Sequence, residues 1–139
     1  MIITRQMYLK GRQIKFASEF TPELSDNTDK IIAKASELLS RYETATGDSS
    51  KGEVASGWRP KEINAATPGA SPTSTHIYCA AVDLVDWDKK LGNWLVENVE
   101  VLVEIGLFME SLLSTHVGGR PWVHVSFISP KSGNRIFIP

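Results

Sequence analysis

Ser74-Thr75-His76-Ile77-Tyr78-Cys79-Ala80-Ala81-Val82-Asp83, answered by Trp122-Val123-His124-Val125, is the pair of segments whose reading decides the fold. Residues 79–85 are small or β-branched and read as a buried strand, and residues 121–128 read as a second. Side chains alternate faces along a strand, so Asp83 shares a face with Ala81 and Val85, and His124 shares one with Trp122 and Ser126. If the two strands are neighbours, Asp83 and His124 stand side by side. His76 lies seven residues before Asp83, an odd spacing that puts it on the wrong face of a continuous strand, so it must arrive from the preceding loop or across a bend. Two imidazole nitrogens and a carboxylate oxygen suit zinc at about 2.0–2.2 Å and leave a position open for water. Spacing alone also admits a plainer reading, in which the histidines are hydrogen-bonded strand residues and Asp83 caps a turn.

Upstream, Thr21-Pro22-Glu23 supplies a hydroxyl N-cap, a proline at the first helical position and an acid in the first turn. Leu24, Thr28, Ile31, Ile32, Ala35, Leu38, Leu39 and Tyr42 follow at helical steps, which predicts a long helix ending at Gly47. Residues 53–58 read as a short strand. The Pro-, Gly-, Ala-, Ser- and Thr-rich run 60–75 has no period beyond a helical turn over Lys61–Ala66, and its place between two site segments marks it as functional. Asp86-Trp87-Asp88 is an acidic start for a second helix, with Leu91, Trp94, Leu95, Val99, Leu102 and Ile105 on one stripe as far as Gly106. Residues 107–109 resume extended structure, 111–120 form a loop, and a turn at 129–134 leads into a last strand at 135–138. Residues 1–20 alternate short apolar groups with Lys and Arg, which predicts extended edge structure and a peripheral N-terminal extension. The expected architecture is a single α+β domain over residues 1–139, with two main helices on one face of a small, mainly antiparallel sheet that carries the site.

At 139 residues the chain is long enough to bury a core without covalent staples. Fifteen Lys and Arg against sixteen Asp and Glu leave a net charge of −1, with no basic run to track a nucleic-acid backbone. No window is apolar enough to span a membrane, and the N-terminal segment is too interrupted for a signal peptide. The expectation is synthesis in a reducing cytoplasm, which leaves open an outside target reached by lysis or injection. The one cysteine, Cys79, is expected as a buried thiol.

Three ordered motifs carry a resemblance: Ser56-Gly57-Trp58-Arg59, then Ser74-Thr75-His76 with Asp83, then Trp122-Val123-His124. Together they resemble the zinc D-alanyl-D-alanine carboxypeptidases and the related L-alanyl-D-glutamate endopeptidases, whose pattern is Ser-Gly-Tyr/Trp-Arg, Ser-x-His followed by Asp, and a tryptophan-bearing strand that ends in His. The stretch from Trp58-Arg59-Pro60 to Asn64-Ala65-Ala66 is similar to the small phage-associated branch. The resemblance covers roughly residues 18–139 and implies a hedgehog/D-Ala-D-Ala peptidase-like fold. It implies His76, Asp83 and His124 as ligands of one zinc, which lowers the pKa of its water toward about 7 and polarises the scissile carbonyl. Arg59 matches the arginine that stabilises carbonyl charge or holds a substrate carboxylate. Ser74 is expected to orient His76, and Trp122 either walls the cleft or fills core.

The sequence departs from that pattern in two places. Many relatives have glycine where this chain has Cys79, which suits a left-handed backbone poorly, so a different local bend is expected. Many also place Glu or Asp three residues before the last His, where this chain has Pro121. Proline accepts no proton, so Glu110 becomes the expected general base, with His116 as second choice. The implied activity is hydrolysis of an amide bond in peptidoglycan stem peptides by a phage or prophage metallopeptidase, and the rival is a zinc-bearing wall-binding or virion module without catalysis. Carboxypeptidase and endopeptidase action differ in how loops 60–75 and 111–120 close the cleft.

Overall fold

A computed structural model describes residues 2–139. Its five-stranded mixed sheet has the order β1-β2-β4-β3-β5, with β1 at Val54–Ser56, β2 at Ala81–Val85, β3 at Phe108–Glu110, β4 at Trp122–Ser126 and β5 at Ile136–Phe137. The pairings β1–β2, β2–β4 and β3–β4 are antiparallel, and β3–β5 is parallel. Seven α-helices accompany the sheet among the described residues, so the domain is α+β.

The long helix, α3 (Pro22–Thr46), forms as its sequence dictates. Thr21 Oγ1 accepts from the Leu24 N–H at 3.2 Å, Pro22 opens the first turn, and Gly47 closes the helix at φ 76°. Ile31, Ala35, Leu38, Leu39 and Tyr42 are buried along one stripe. They pack into one apolar cluster with Val82 and Leu84 of β2 and Val123 and Val125 of β4. Burying each aliphatic side chain contributes about 1.5–3 kcal/mol, which fixes which face of β2 and β4 meets the helices. The opposite face is thereby left to Asp83 and His124.

The second predicted helix is two. α5 (Lys90–Glu97) and α6 (Val99–Ile105) break at Asn98, whose side-chain amide donates to the Trp94 carbonyl at 2.9 Å while its backbone N–H turns to the same oxygen. An Asn side chain competing for a helix carbonyl favours such a break. Asp86 and Asp88 do serve the start of α5, accepting from the N–H groups of Leu91, Gly92 and Lys90.

Two expectations are overturned. The N-terminal segment is neither extended nor peripheral: it forms α1 (Arg5–Leu9) and α2 (Arg12–Lys15), and Ile3, Tyr8 and Leu9 are buried in the core. Residue 1 lies outside the described residues. Thr4 caps α1 through its hydroxyl, and Lys10 and Gly11 turn the chain in left-handed conformations. This N-cap and the apolar triplet Met7-Tyr8-Leu9 outweigh the alternation that suggested a strand. The 111–120 loop, for its part, contains a one-turn helix, α7 (Leu112–Thr115). The last strand forms and joins β3 in parallel.

Candidate metal centre

Antiparallel pairing of β2 with β4 places Asp83 directly opposite His124, the adjacency that alternation required. His76 comes from the bend the odd spacing demanded, a 3₁₀ turn over Thr75–Tyr78 that enters β2 through Cys79 and Ala80. Three neighbours pin that turn. The Trp58 indole N–H donates to the Ile77 carbonyl at 3.1 Å, the Asn27 amide to the Tyr78 carbonyl at 3.0 Å, and the Arg59 backbone N–H to the His76 carbonyl at 3.2 Å. Ser74 caps it, its Oγ accepting from the His76 N–H at 3.2 Å and from Arg59 Nη2 at 3.0 Å.

Cys79 closes the turn in the left-handed region at φ 54°. Cys79 adopts the conformation usually left to glycine, at a cost of about 1–2 kcal/mol, and is fully buried. Burial pushes its thiol up to about 11, as befits a packed and unreactive side chain rather than a ligand.

His76, Asp83 and His124 converge, with ligand-type atoms all within 4.8 Å of one another. The two imidazole rings lie 5.1 Å apart, centre to centre. His76 Nδ1 is 2.8 Å from the Gly57 carbonyl, an oxygen that can only accept, so Nδ1 carries the proton. Burial, acting against the attraction of Asp83, lowers the His76 pKa and keeps the ring neutral. Nε2 is then a bare lone pair, buried without a hydrogen bond, 3.2 Å from Asp83 Oδ1. The same carboxylate oxygen lies 2.8 Å from His124 Nδ1. Burial works to raise the Asp83 pKa, but the two imidazoles outweigh it and hold the carboxyl well below the usual carboxylate range. Burial works to lower the His124 pKa, but its hydrogen bond to Asp83 and the charge of Asp83 outweigh this and raise it, so His124 is the proton-bearing partner of that oxygen. The His76 lone pair still faces an acceptor oxygen with no proton of its own between them, which is costly in a dry setting. The residues present therefore fit a metal ion, through Nε2 of His76, Nδ1 of His124 and the Asp83 carboxylate. The Gly57 carbonyl fixes tautomer and ring orientation, as outer partners of metal-binding histidines commonly do.

Gly57 also shows why the N-terminal helices belong to the site. A Cβ there meets the Tyr8 carbonyl oxygen at 2.1 Å, while the Tyr8 hydroxyl donates to the Ala81 carbonyl at 2.8 Å. α1 thus clamps β1 against the start of β2. Gly57→Ala is expected to destabilise the fold by about 1–3 kcal/mol, read as a fall in the urea midpoint, and to weaken metal retention because the clash with Tyr8 displaces the carbonyl that His76 donates to. An unchanged midpoint would show that α1 yields freely.

The three donors open into a cleft of about 350 Å³ that is also lined by Arg59, Ser74, Trp122 and Glu110. The pairing of Met109 with Val125 brings Glu110, the next residue of β3, beside His124 of β4. Burial raises the Glu110 carboxyl, with the charge of Asp83 adding and His124 opposing. Arg59 is half-buried, and its Nε–H has no acceptor. Half-buried Trp122 forms part of the cleft wall. His116, the second choice for a base, is elsewhere: its Nε2 lies 2.8 Å from the buried Asp86, and it does not line the cleft.

Sequence reasoning missed the carbonyl role of Gly57 and the presence of Arg12 and Arg120 in a groove that adjoins the cleft. A carbonyl leaves no compositional signal, and the two arginines are brought together only by the fold. No family model, curated protein or solved structure matches the chain. No helix among the described residues is long and apolar enough to cross a membrane.

Proposed function

We infer that the protein is a zinc-dependent peptidase with a D-Ala-D-Ala peptidase-like fold that hydrolyses an amide bond in peptidoglycan stem peptides, encoded by a phage or prophage. The observation that carries this reading is the convergence of His76, Asp83 and His124 at the floor of a cleft that also holds an acid with a raised pKa. Two imidazole nitrogens and one carboxylate oxygen suit zinc over calcium or magnesium, which favour all-oxygen sites. Three protein donors are the number catalytic zinc sites use.

Bound zinc supplies Lewis acidity and an acidified water. The chain's own groups do the rest. Glu110 accepts the proton of the attacking water and delivers it to the leaving amine, and its raised pKa suits both tasks. Arg59, held by Ser74 at the cleft wall, offers N–H donors to the carbonyl oxygen as charge builds on it. Trp122 and the 68–71 segment flank the substrate.

Protein purified without a histidine tag is expected to contain about one zinc per chain by elemental analysis, lost in His124→Ala, and to release new amino termini from purified peptidoglycan. A metal-free chain overturns the zinc reading. A zinc-bearing chain that releases no amino termini leaves the rival, a wall-binding or virion module without catalysis, which the sequence motivates through Pro121.

A further inference from the structure

Next to the metal cleft lies a second groove of about 500 Å³, which shares Arg59, Pro68, Asp83 and Trp122 with it and adds Arg12 and Arg120. Three guanidinium groups in one groove are unexpected in a chain of net charge −1. Their own partners do not account for them. Arg12 Nη1 donates to the Trp58 carbonyl at 2.7 Å, a neutral acceptor, and Arg59 Nη2 donates to the Ser74 hydroxyl. Neither forms an ion pair among the described residues. Arg120 lies over the Trp87 ring, 5.8 Å from its centre, and its one ion pair among the described residues is with Glu53 at 3.8 Å, both side chains being largely exposed, a pair of little worth in water. Asp83, the one acid lining the groove, is already hydrogen-bonded to His124.

The positive charges also act on one another. Lys10, whose Nζ donates to the Ala55 carbonyl at the groove's β1 edge, is lowered by burial and by repulsion from Arg12 and Arg120. Arg59 is lowered by burial, with Asp83 opposing and Arg12 adding to the shift. The fold therefore holds like charges together around an open space, and Arg59 keeps a buried Nε–H without an acceptor. A groove lined by one sign of charge concentrates ligands of the other, and the guanidinium fork matches a carboxylate in particular.

We propose that this arginine-lined groove is a subsite for a free carboxylate on the peptide next to the scissile bond, so that Arg12 and Arg120 select an acidic substrate residue while Arg59 joins the subsite to the metal cleft. The proposal rests on the peptidase reading for the identity of its ligand. For cleavage at the L-alanyl-D-glutamate bond the group is the α-carboxylate of the glutamate, which some walls carry free and others amidated. Arg12 and Arg120 are assigned to selection and take no part in the chemistry.

The test is a calorimetric titration with two stem peptides that differ only in whether that carboxylate is free or amidated, run on the protein as isolated and again after chelation. The free carboxylate is expected to bind at least about tenfold more tightly, the usual worth of a hydrogen bond to a charged group, and to keep that advantage after chelation because the arginines, not the metal, provide it. Arg12→Gln is expected to remove most of the advantage and the exposed Arg120→Gln part of it, with the amidated peptide bound equally by all forms. Arg120→Gln keeps the test open should Arg12→Gln fold poorly. Equal binding of the two peptides, an advantage that vanishes on chelation, or one untouched by both variants overturns the proposal. So does tighter binding of poly(glycerol phosphate) than of either peptide, which would mark a polyanion site. Failure of the peptidase reading is seen separately, as absent zinc and absent hydrolysis, and leaves the carboxylate-to-amide ratio free to stand or fall.

Discussion

On the proposed peptidase reading, Glu110→Gln is expected to lower the rate of wall-peptide hydrolysis by about 10²- to 10⁴-fold, the usual contribution of a positioned general base, with metal content and stability unchanged. The substitution preserves shape and removes only the ability to take a proton. Glu110 is not among the three converging donors, so zinc content should equal that of the parent. Its carboxylate is half-buried beside His124, and an uncharged amide there relieves desolvation, so no loss of fold is expected. Burial raises the carboxyl's pKa, which makes it a better base than an exposed glutamate and ties the acid limb of the pH–rate profile to this residue. That limb should disappear in Glu110→Gln. The measurement is initial rate against pH at saturating peptide, with metal content on the same samples. A variant as fast as the parent removes Glu110 from the mechanism, and since Pro121 carries no titratable group, the non-catalytic reading then gains.

The long helix was legible in the sequence because local and tertiary signals agreed there: the Thr21 cap, Pro22, the apolar stripe and Gly47 all point one way. The pairing of Asp83 with His124 was legible as a condition, since alternation fixes which residues share a face but not which strands are neighbours. The origin of His76 followed from parity alone. What parity could not supply was the Gly57 carbonyl that fixes the His76 tautomer, because backbone groups are shared by every residue type. The N-terminal helices were misread because five- and four-residue helices are too short to display a period, and they exist by virtue of Tyr8 and Leu9 in the core. The break at Asn98 and the parallel placement of β5 were hidden for related reasons, one being a side-chain competition and the other a long-range pairing. The left-handed Cys79 shows the reverse case, in which tertiary anchoring of the turn by Trp58 and Asn27 overrides a residue's own preference.

Asp86→Ala is expected to destabilise the fold by about 3–5 kcal/mol, the range for breaking a buried ion pair by removing one partner. Asp86 is fully buried at the end of β2. Its Oδ1 accepts from Lys51 Nζ at 2.8 Å and the Leu91 N–H at 3.1 Å, and its Oδ2 from the Gly92 N–H at 2.8 Å and His116 Nε2 at 2.8 Å. One carboxylate thus holds the 47–53 loop, the first turn of α5 and the end of α7. Removing it strands a buried ammonium, two helix N–H groups and an imidazole, and only Asp88, itself half-exposed, remains for Lys51. The local packing has no slack to recover these groups, since a Cβ on Gly92 falls 2.4 Å from the His116 ring. Against a typical stability of about 5–15 kcal/mol this loss lowers the melting temperature by roughly 10–20 °C. Asp86→Asn, which keeps one acceptor, falls between. Calorimetric unfolding of the three proteins at neutral pH is the measurement, and a shift of a few degrees for Asp86→Ala would mean that water reaches Lys51 in the folded state. Because Asp86 follows the last residue of β2 and none of its partners belongs to the His76–Asp83–His124 group, the folded fraction of Asp86→Ala should still bind metal at parent stoichiometry. β2 thus leads at one end into the carboxylate that anchors the helices, while its middle carries Asp83, a donor of the candidate metal centre.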